Sequence, residues 1–495
     1  MLLLGIDIGT SSIKASVVDG ETGQLVTSAQ YPDTENTISS PLPDWAEQDP
    51  EMWWNCAVNA IQRCNNSGKY NPKDIQAIGI AYQMHGLVMV DRNHSVLRPS
   101  IIWCDSRAVE IGNKAFQEIG EDKCLSHLLN SPGNFTASKL AWVKANEPKV
   151  YGSIYKIMLP GDFIAMKLTN AITTSNSALS EGIFWDFKEN SISEDILKYY
   201  GFPKTVLPDL KPVFSNHGEV SSSMADLTGL KAGTPVCYKA GDQPNNALSL
   251  NVLEPGEVAA TAGTSGVVYS VSDQISYDPL SRVNTFAHVN HQLDGLNRLG
   301  TLLCINGTGI LNRWMRDQVA PQWSYSQMNE AAASIQAGAN GLSILPFGNG
   351  AERVLSNKTI HSTITGLNFN THTTAHLIRA AQEGIAFSLK YGVDIMAETG
   401  TAPTVIRAGK ANMFLSDVFT KALVNTIGVA VELYDTDGAK GAALGAGIGK
   451  GFFSQPKEAF ENMESIGSVE PEKDLQEQYQ HVYSNWKSIL NKQLH

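Results

Sequence analysis

Residues 5–19 read Gly5-Ile-Asp-Ile-Gly-Thr-Ser-Ser-Ile-Lys-Ala-Ser-Val-Val-Asp19, and residues 259–273 read Ala259-Ala-Thr-Ala-Gly-Thr-Ser-Gly-Val-Val-Tyr-Ser-Val-Ser-Asp273. Laid over each other, the two stretches agree at six of fifteen positions, including the whole Gly-Thr-Ser turn at 9–11 and 263–265. Each is an apolar run, a polar turn and a second apolar run, the pattern of a β-hairpin with buried strands. On similarity alone a chance match of two short hairpins is an equal alternative. Position favours a repeat, because each copy opens one half of the chain. Two sheets that each begin this way predict two lobes facing a cleft.

Outward from the first copy, Asp19-Gly20 and Thr22-Gly23 punctuate before residues 25–27, which extends the hairpin into a meander. Met52, Trp53, Cys56, Ala57, Ala60, Ile61 and Cys64 recur at helical spacing and predict a helix over 51–65. Buried strands are expected at 75–81, 88–91, 156–159 and 236–240, with helices near 138–146, 194–201 and 244–250. Strands alternating with helices predict an α/β fold. Glu254-Pro255-Gly256 breaks the pattern just before the second hairpin and divides the chain into domains 1–251 and 252–495. Leu475, Tyr479, Val482, Trp486 and Leu490 predict a last helix over 471–494.

Composition narrows the function. The chain has 495 residues, enough for two to four domains, with 37 Lys plus Arg against 49 Asp plus Glu, a net charge of −12. Such a balance lacks the basic stripe that nucleic acid or an anionic membrane requires, so neither is an expected partner. It leaves room for a local phosphate site, because backbone N–H groups hold phosphate without lysine. With 42% hydrophobic and 17% charged residues the chain has ample core. Six cysteines, with no C-x-x-C pair and no histidine at zinc-ligand spacing, predict reduced thiols. Met1-Leu-Leu-Leu-Gly-Ile-Asp7 has no basic segment and Asp7 interrupts its apolar run, unlike a signal peptide. No apolar run approaches a membrane span. A soluble cytoplasmic protein is expected.

The paired turns carry the first chemical signal. Glycine admits an anion close to the backbone, and the following N–H and hydroxyl groups converge on a small space. Gly9, Thr10, Ser11 and Ser12 in one copy, and Gly263, Thr264, Ser265 and Gly266 in the other, therefore predict a polyphosphate held between two turns. Walker and Rossmann signatures are missing. Asp7 stands two residues before the first turn, where Thr261 stands in the second copy. A carboxylate beside phosphate is repulsive unless a cation intervenes, which makes Asp7 a candidate Mg²⁺-side ligand. Asp242 follows an apolar strand and precedes Pro244. It reads equally as a helix cap and as a general base at a strand end, where α/β sheets place their chemistry. Gln83-Met84-His85-Gly86 splits two strands, so His85 sits on a strand-end loop where a sugar contact is plausible. Trp103-Cys104-Asp105-Ser106-Arg107 reads locally as a buried tryptophan beside an ion pair.

Taken together, these motifs resemble the FGGY family of carbohydrate kinases. The likeness covers nearly the whole chain and adds Pro43-Asp-Trp-Ala-Glu-Gln-Asp-Pro50, Asn134-Phe-Thr-Ala-Ser-Lys-Leu-Ala-Trp-Val-Lys144 and Gly441-Ala-Ala-Leu-Gly445 to the segments above. Gln83-Met84-His85-Gly86 is similar to the segment of those members that take xylulose rather than glycerol or ribulose. The resemblance implies two actin-like, ribonuclease-H-like ATPase domains around a central cleft, with ATP and Mg²⁺ on one side and a sugar between them. It implies Asp242 as general base and Asp7 as the metal-side carboxylate. Both turns would meet phosphates, and Gly309, Gly409, Lys410 and Asn412 the nucleoside. Met84, His85, Gly86, Trp103, Asp105, Asp242 and Gln243 would line the sugar pocket. A homodimer is also suggested.

Three departures stand out. Gln243 replaces an asparagine common after the catalytic aspartate. The adenosine loop, Gly-Gly-Gly-Ala-like in the family, is here Ala408-Gly409-Lys410-Ala411-Asn412. Gly350-Ala351-Glu352-Arg353 carries one inserted residue. The expected reaction is ATP-dependent phosphorylation of D-xylulose at its 5-hydroxyl. The alternatives are another ketose or polyol such as D-ribulose, or a non-catalytic actin-like nucleotide-binding protein.

Overall fold

Strand β1 (Leu2–Ile8) alternates between two buried faces: Leu4, Ile6 and Ile8 point one way, Leu3, Gly5 and Asp7 the other. In the computed structural model, which describes residues 1–292, 295–400 and 402–494, the chain forms two compact units. The first comprises 1–253, 285–299 and 436–463; the second comprises 254–284, 300–435 and 464–495.

In the first unit β1 pairs antiparallel with β2 (Ile13–Asp19), which pairs with β3 (Leu25–Tyr31). On its other side β1 runs parallel to β4 (Ile75–Tyr82), and β4 parallel to β5 (Val236–Gly241). The order is β5-β4-β1-β2-β3. The predicted helix forms over Pro50–Asn65, with Asp49 accepting the Glu51 N–H and Pro50 in its first turn. Its Trp53, Ala57 and Ile61 pack with the Leu4–Ile6–Ile8 face.

The opposite face receives helix Gly438–Lys450, which a cut after residue 251 would give to the second domain. Contact is through backbone. A Cβ on Gly5 would fall 1.8 Å from the Ala439 carbonyl oxygen, and one on Gly79 1.9 Å from that of Ala442. The same face carries Asp7, so strand alternation delivers that carboxyl to the start of the helix at Gly438.

The second unit repeats the plan. Strands β6 (Glu257–Ala262) and β7 (Gly266–Ser272) form the second hairpin, and β8 (Leu299–Ile305) lies beside β7. Strand β9 (Val405–Gly409) runs parallel to β6, and β10 (Val431–Tyr434) parallel to β9; β11 (Gly467–Val469) closes that edge antiparallel. Thus β5-β4-β1-β2 and β10-β9-β6-β7 are the same arrangement, a hairpin extended by two parallel strands. The terminal helix Lys473–Leu494 buries Tyr479, Tyr483, Trp486 and Leu490, with Phe387 of helix Thr374–Glu398 against its aromatic rings. No helix among the described residues is long and apolar enough to cross a membrane.

Candidate active site

The first Gly-Thr-Ser turn is closed by the Gly9 N–H donating to the Ser12 carbonyl at 3.1 Å. Antiparallel register sets Asp7 opposite Lys14. Lys14 Nζ reaches Asp437 Oδ2 at 2.6 Å, and Asn245 Nδ2 donates to the Gly438 carbonyl at 2.8 Å. Asp437 caps helix Gly438–Lys450 by accepting the Lys440 N–H. These groups surround Asp7. Burial, then the charge of Asp437, lift its carboxyl to a pKa of about 6, with Lys14 pulling the other way.

Asp242 is the first residue of helix Asp242–Ser249, directly after β5. Gly241 occupies the capping position, and the Asp242 carboxyl, one residue inside the helix, accepts the Gln243 N–H. Burial, then the charge of Asp7, raise its carboxyl to about 7, while Gln243 hydrogen bonds oppose the shift. Asp7 and Asp242 stand at the ends of two strands with β4 between them, and the charge of Asp7 raises Asp242, the arrangement of a poised acid–base site.

The loop after β4 reaches the same strand ends. Met84 is buried against Gly241, where a Cβ would lie 2.6 Å from Met84 Cγ. Gly86 is buried against Pro160. His85 adopts left-handed backbone geometry with φ 62°. Its N–H donates to Glu181 Oε2 at 3.0 Å, and its carbonyl accepts from Lys139 Nζ at 3.0 Å. The ring Nδ1 lies 3.0 Å from the Glu181 main-chain carbonyl. That oxygen can only accept, so Nδ1 carries the proton and Nε2 is the acceptor of the neutral ring. Phe135 and Phe286 pack against the ring. Glu181 also accepts the Tyr82 hydroxyl at 2.8 Å, and burial pushes its carboxyl well above the carboxylate range. Burial brings Lys139 down to about 7.

Trp103 is 47% exposed and its indole donates to Thr10 Oγ1 at 3.0 Å, which joins it to the turn. Asp105, two residues along, lies in the core, where its charge acts on Lys139. Its carboxyl is fully buried, pairs with Arg107 at 2.6 Å and accepts the Ala46 N–H. Arg107 in turn lies 3.7 Å from the Trp45 ring centroid and 4.9 Å from that of Trp142. The ion-pair half of the local reading holds, Asp105 with Arg107, whereas Trp103 is half-exposed rather than buried.

In the second unit, the Gly309 N–H donates to the Gly263 carbonyl at 2.8 Å, and a Cβ on Gly309 would come within 2.3 Å of that oxygen. Asn412, with φ 54°, faces Gly263. Lys410 donates its N–H to the Tyr434 carbonyl at 3.0 Å and is otherwise exposed, like Thr264. Gly263, Thr264, Ser265, Gly266, Gly309 and the 409–412 loop therefore converge. Sequence reasoning missed Lys14, Asp437, Lys139 and Glu181. Lys14 was legible as the hairpin partner of Asp7, and Asp437 as a cap before a glycine-rich helix. Glu181 carries no local signal, because only the fold brings it beneath His85.

Among the described residues no group of three or more His, Cys, Asp or Glu side chains could hold a metal ion. The FGGY family of carbohydrate kinases matches this chain twice, its N-terminal domain over residues 2–249 and its C-terminal domain over 258–449. The chain belongs to the FGGY family of carbohydrate kinases. It is therefore an ATP-dependent sugar kinase built from two actin-like ATPase domains. Among similar FGGY proteins, the xylulose kinase of Bacillus subtilis (strain 168) is 28% identical, over 98% of this chain and 97% of its own. The crystal structure of xylulose kinase from Rhodospirillum rubrum superposes with a TM-score of 0.89 at 26% identity, covering 99% of both chains. Gluconate kinase from Lactobacillus acidophilus also reaches a TM-score of 0.89, at 20% identity over 100% of this chain and 98% of that one. The FGGY fold is thus common to kinases named for different sugars, and the sugar must be argued from side chains.

Proposed function

We propose that this kinase transfers the γ-phosphoryl group of ATP to the 5-hydroxyl of D-xylulose in the cytoplasm, as a step of pentose catabolism. The observation that carries the reading is Asp242: a carboxyl at a strand end, raised to about 7, beside Asp7 and next to the Met84–His85 loop. Full-length similarity to xylulose kinases supports the sugar.

Asp242 accepts the proton of the attacking hydroxyl as its oxygen bonds to phosphorus. The His85 ring, its Nδ1 proton held by Glu181, offers Nε2 to a sugar hydroxyl. Met84, Gly86, Trp103 and Gln243 shape the remaining wall, with Asp105 in the core behind it. The turn at 9–12 positions phosphate oxygens in this reading. Gly263, Thr264, Ser265, Gly266, Gly309, Gly409, Lys410 and Asn412 hold the rest of the nucleotide.

The residues fit Mg²⁺. Asp7 is a hard oxygen donor whose pKa is raised first by burial and then by the neighbouring charge of Asp437, and Mg²⁺ bound with nucleotide needs only one or two carboxylates besides phosphate oxygens and water. Such an ion supplies neutralisation of charge on the transferring group. A homodimer belongs to the same reading.

Replacing Asp242 with Asn preserves shape and removes the base; turnover should fall roughly 10²–10⁴-fold with nucleotide binding retained. Near-native turnover would remove Asp242 from the role. A second sugar, such as D-ribulose, is favoured by one observation, Gln243 in place of the usual asparagine, and a substrate panel separates the two.

A further inference from the structure

The segment Pro43–Pro50 is not used by the chemistry above, yet one of its residues is tied to both halves of it. Gln48 is 2% exposed, as is Gln83, and Trp53 is fully buried. The Trp53 indole N–H donates to Gln48 Oε1 at 3.0 Å. An indole can only donate, so it fixes which way the Gln48 amide faces. The Gln48 NH₂ then points at two groups that can only accept, the Thr10 carbonyl at 2.8 Å and the Thr37 carbonyl at 3.3 Å.

The same logic propagates. Gln83 meets Gln48 Oε1 at 3.2 Å and must present its NH₂ there. Its carbonyl oxygen consequently faces Thr10 Oγ1, 3.3 Å away, and accepts the Thr10 hydroxyl proton. The Thr10 oxygen is left to accept from the Trp103 indole. Every polarity in this closed circuit follows from one buried tryptophan.

We infer that Gln48, oriented by Trp53, is a positioning residue that ties the first Gly-Thr-Ser turn to the sugar loop and commits the Thr10 hydroxyl proton to Gln83 rather than to a phosphate. The inference rests on reading 9–12 as a phosphate turn and 84–86 as the sugar loop. Its consequence is specific. Gln48 touches neither substrate, yet its loss loosens the backbone of Thr10 on one side and Gln83, the neighbour of Met84 and His85, on the other. Phosphate contacts of the turn then come from its N–H groups and from Ser11 and Ser12.

The test compares steady-state constants and melting temperatures of the full chain with those of Gln48→Met, Gln48→Glu and Val58→Ala. The last trims a buried side chain on the neighbouring helix and serves as a stability control. Gln48→Met removes both links, and KM should rise on the order of tenfold for sugar and for ATP, the effect of one or two neutral hydrogen bonds. Gln48→Glu keeps an acceptor for Trp53 and Gln83 but turns an acceptor toward the Thr10 carbonyl. It should raise KM for ATP by a similar factor and leave that for sugar within about threefold. If Gln48→Met does not fold, the Gln48→Glu split alone decides. Unchanged constants in both Gln48 variants, or the same rises in Val58→Ala, would overturn the inference and leave Gln48 a structural partner of Trp53. Absence of sugar-dependent turnover in the unmodified protein would instead overturn the functional reading, and the inference with it.

Discussion

Lys14 Nζ and Asp437 Oδ2 stand 2.6 Å apart across 423 residues of sequence. The pair brackets Asp7, whose carboxyl is raised by Asp437 and lowered by Lys14. The two neighbours should therefore move Asp7 in opposite directions. Asp437→Asn removes a like charge and should bring its titration down from about 6, whereas Lys14→Met should carry it higher. Carbon-13 NMR of labelled aspartates checks this in the ligand-free protein. Parallel shifts in both variants would contradict the arrangement.

The seating of helix Gly438–Lys450 makes a second prediction. A methyl group at Gly79 would sit 1.9 Å from the Ala442 carbonyl oxygen and 2.7 Å from its carbon, main-chain atoms that cannot rotate aside. Gly79→Ala should cost about 3 kcal/mol or more in urea unfolding, the upper range for overpacking. At Gly438 the atom in the way is Asp7 Oδ2, at 2.3 Å, which can rotate aside. Gly438→Ala should fold, yet need several-fold more Mg²⁺ for half-maximal turnover. A stable Gly79→Ala, or an unchanged Mg²⁺ requirement in Gly438→Ala, would count against this packing.

Asp242 links activity to stability. Its carboxyl is raised from 3.8 to about 7, so the folded state prefers the protonated form. The associated stability is fully present below about pH 4 and is lost as pH rises toward 7. Asp242→Asn never ionises. It should melt a few degrees above the unmodified protein at pH 8 and nearly level with it near pH 4, while turnover collapses. The base works only when ionised, so kcat/KM should decline on the acid side of about pH 7. A variant that is less stable at pH 8 would contradict the raised pKa.

Much of this was readable from sequence because it rests on local periodicity and on paired turns. The repeat at 5–19 and 259–273 foretold two sheets of like topology, and strand alternation alone puts Asp7 on the face that meets the 438–450 helix. What sequence could not give was long-range. Glu181 and Lys139 flank His85 only because the chain between residues 85 and 181 folds back on itself. Asp105 is the converse. Its i+2 neighbour Arg107, against two tryptophan rings, holds its carboxyl in the core, a partner that local sequence did offer. The glycines of the 438–450 helix gave no hint of their partner, because close backbone approach leaves its mark on both surfaces and names neither.

The central claim is a kinase for D-xylulose with Asp242 as its base. It is tested most directly by ADP release from Mg²⁺-ATP with D-xylulose, D-ribulose, L-ribulose, L-xylulose, glycerol, gluconate and no sugar. The account predicts the highest kcat/KM on D-xylulose, little hydrolysis without sugar, and loss of the signal in Asp242→Asn. Preference for another member of the panel would contradict the assignment of His85, Met84 and Gln243, and silence across all of them would contradict the reaction itself.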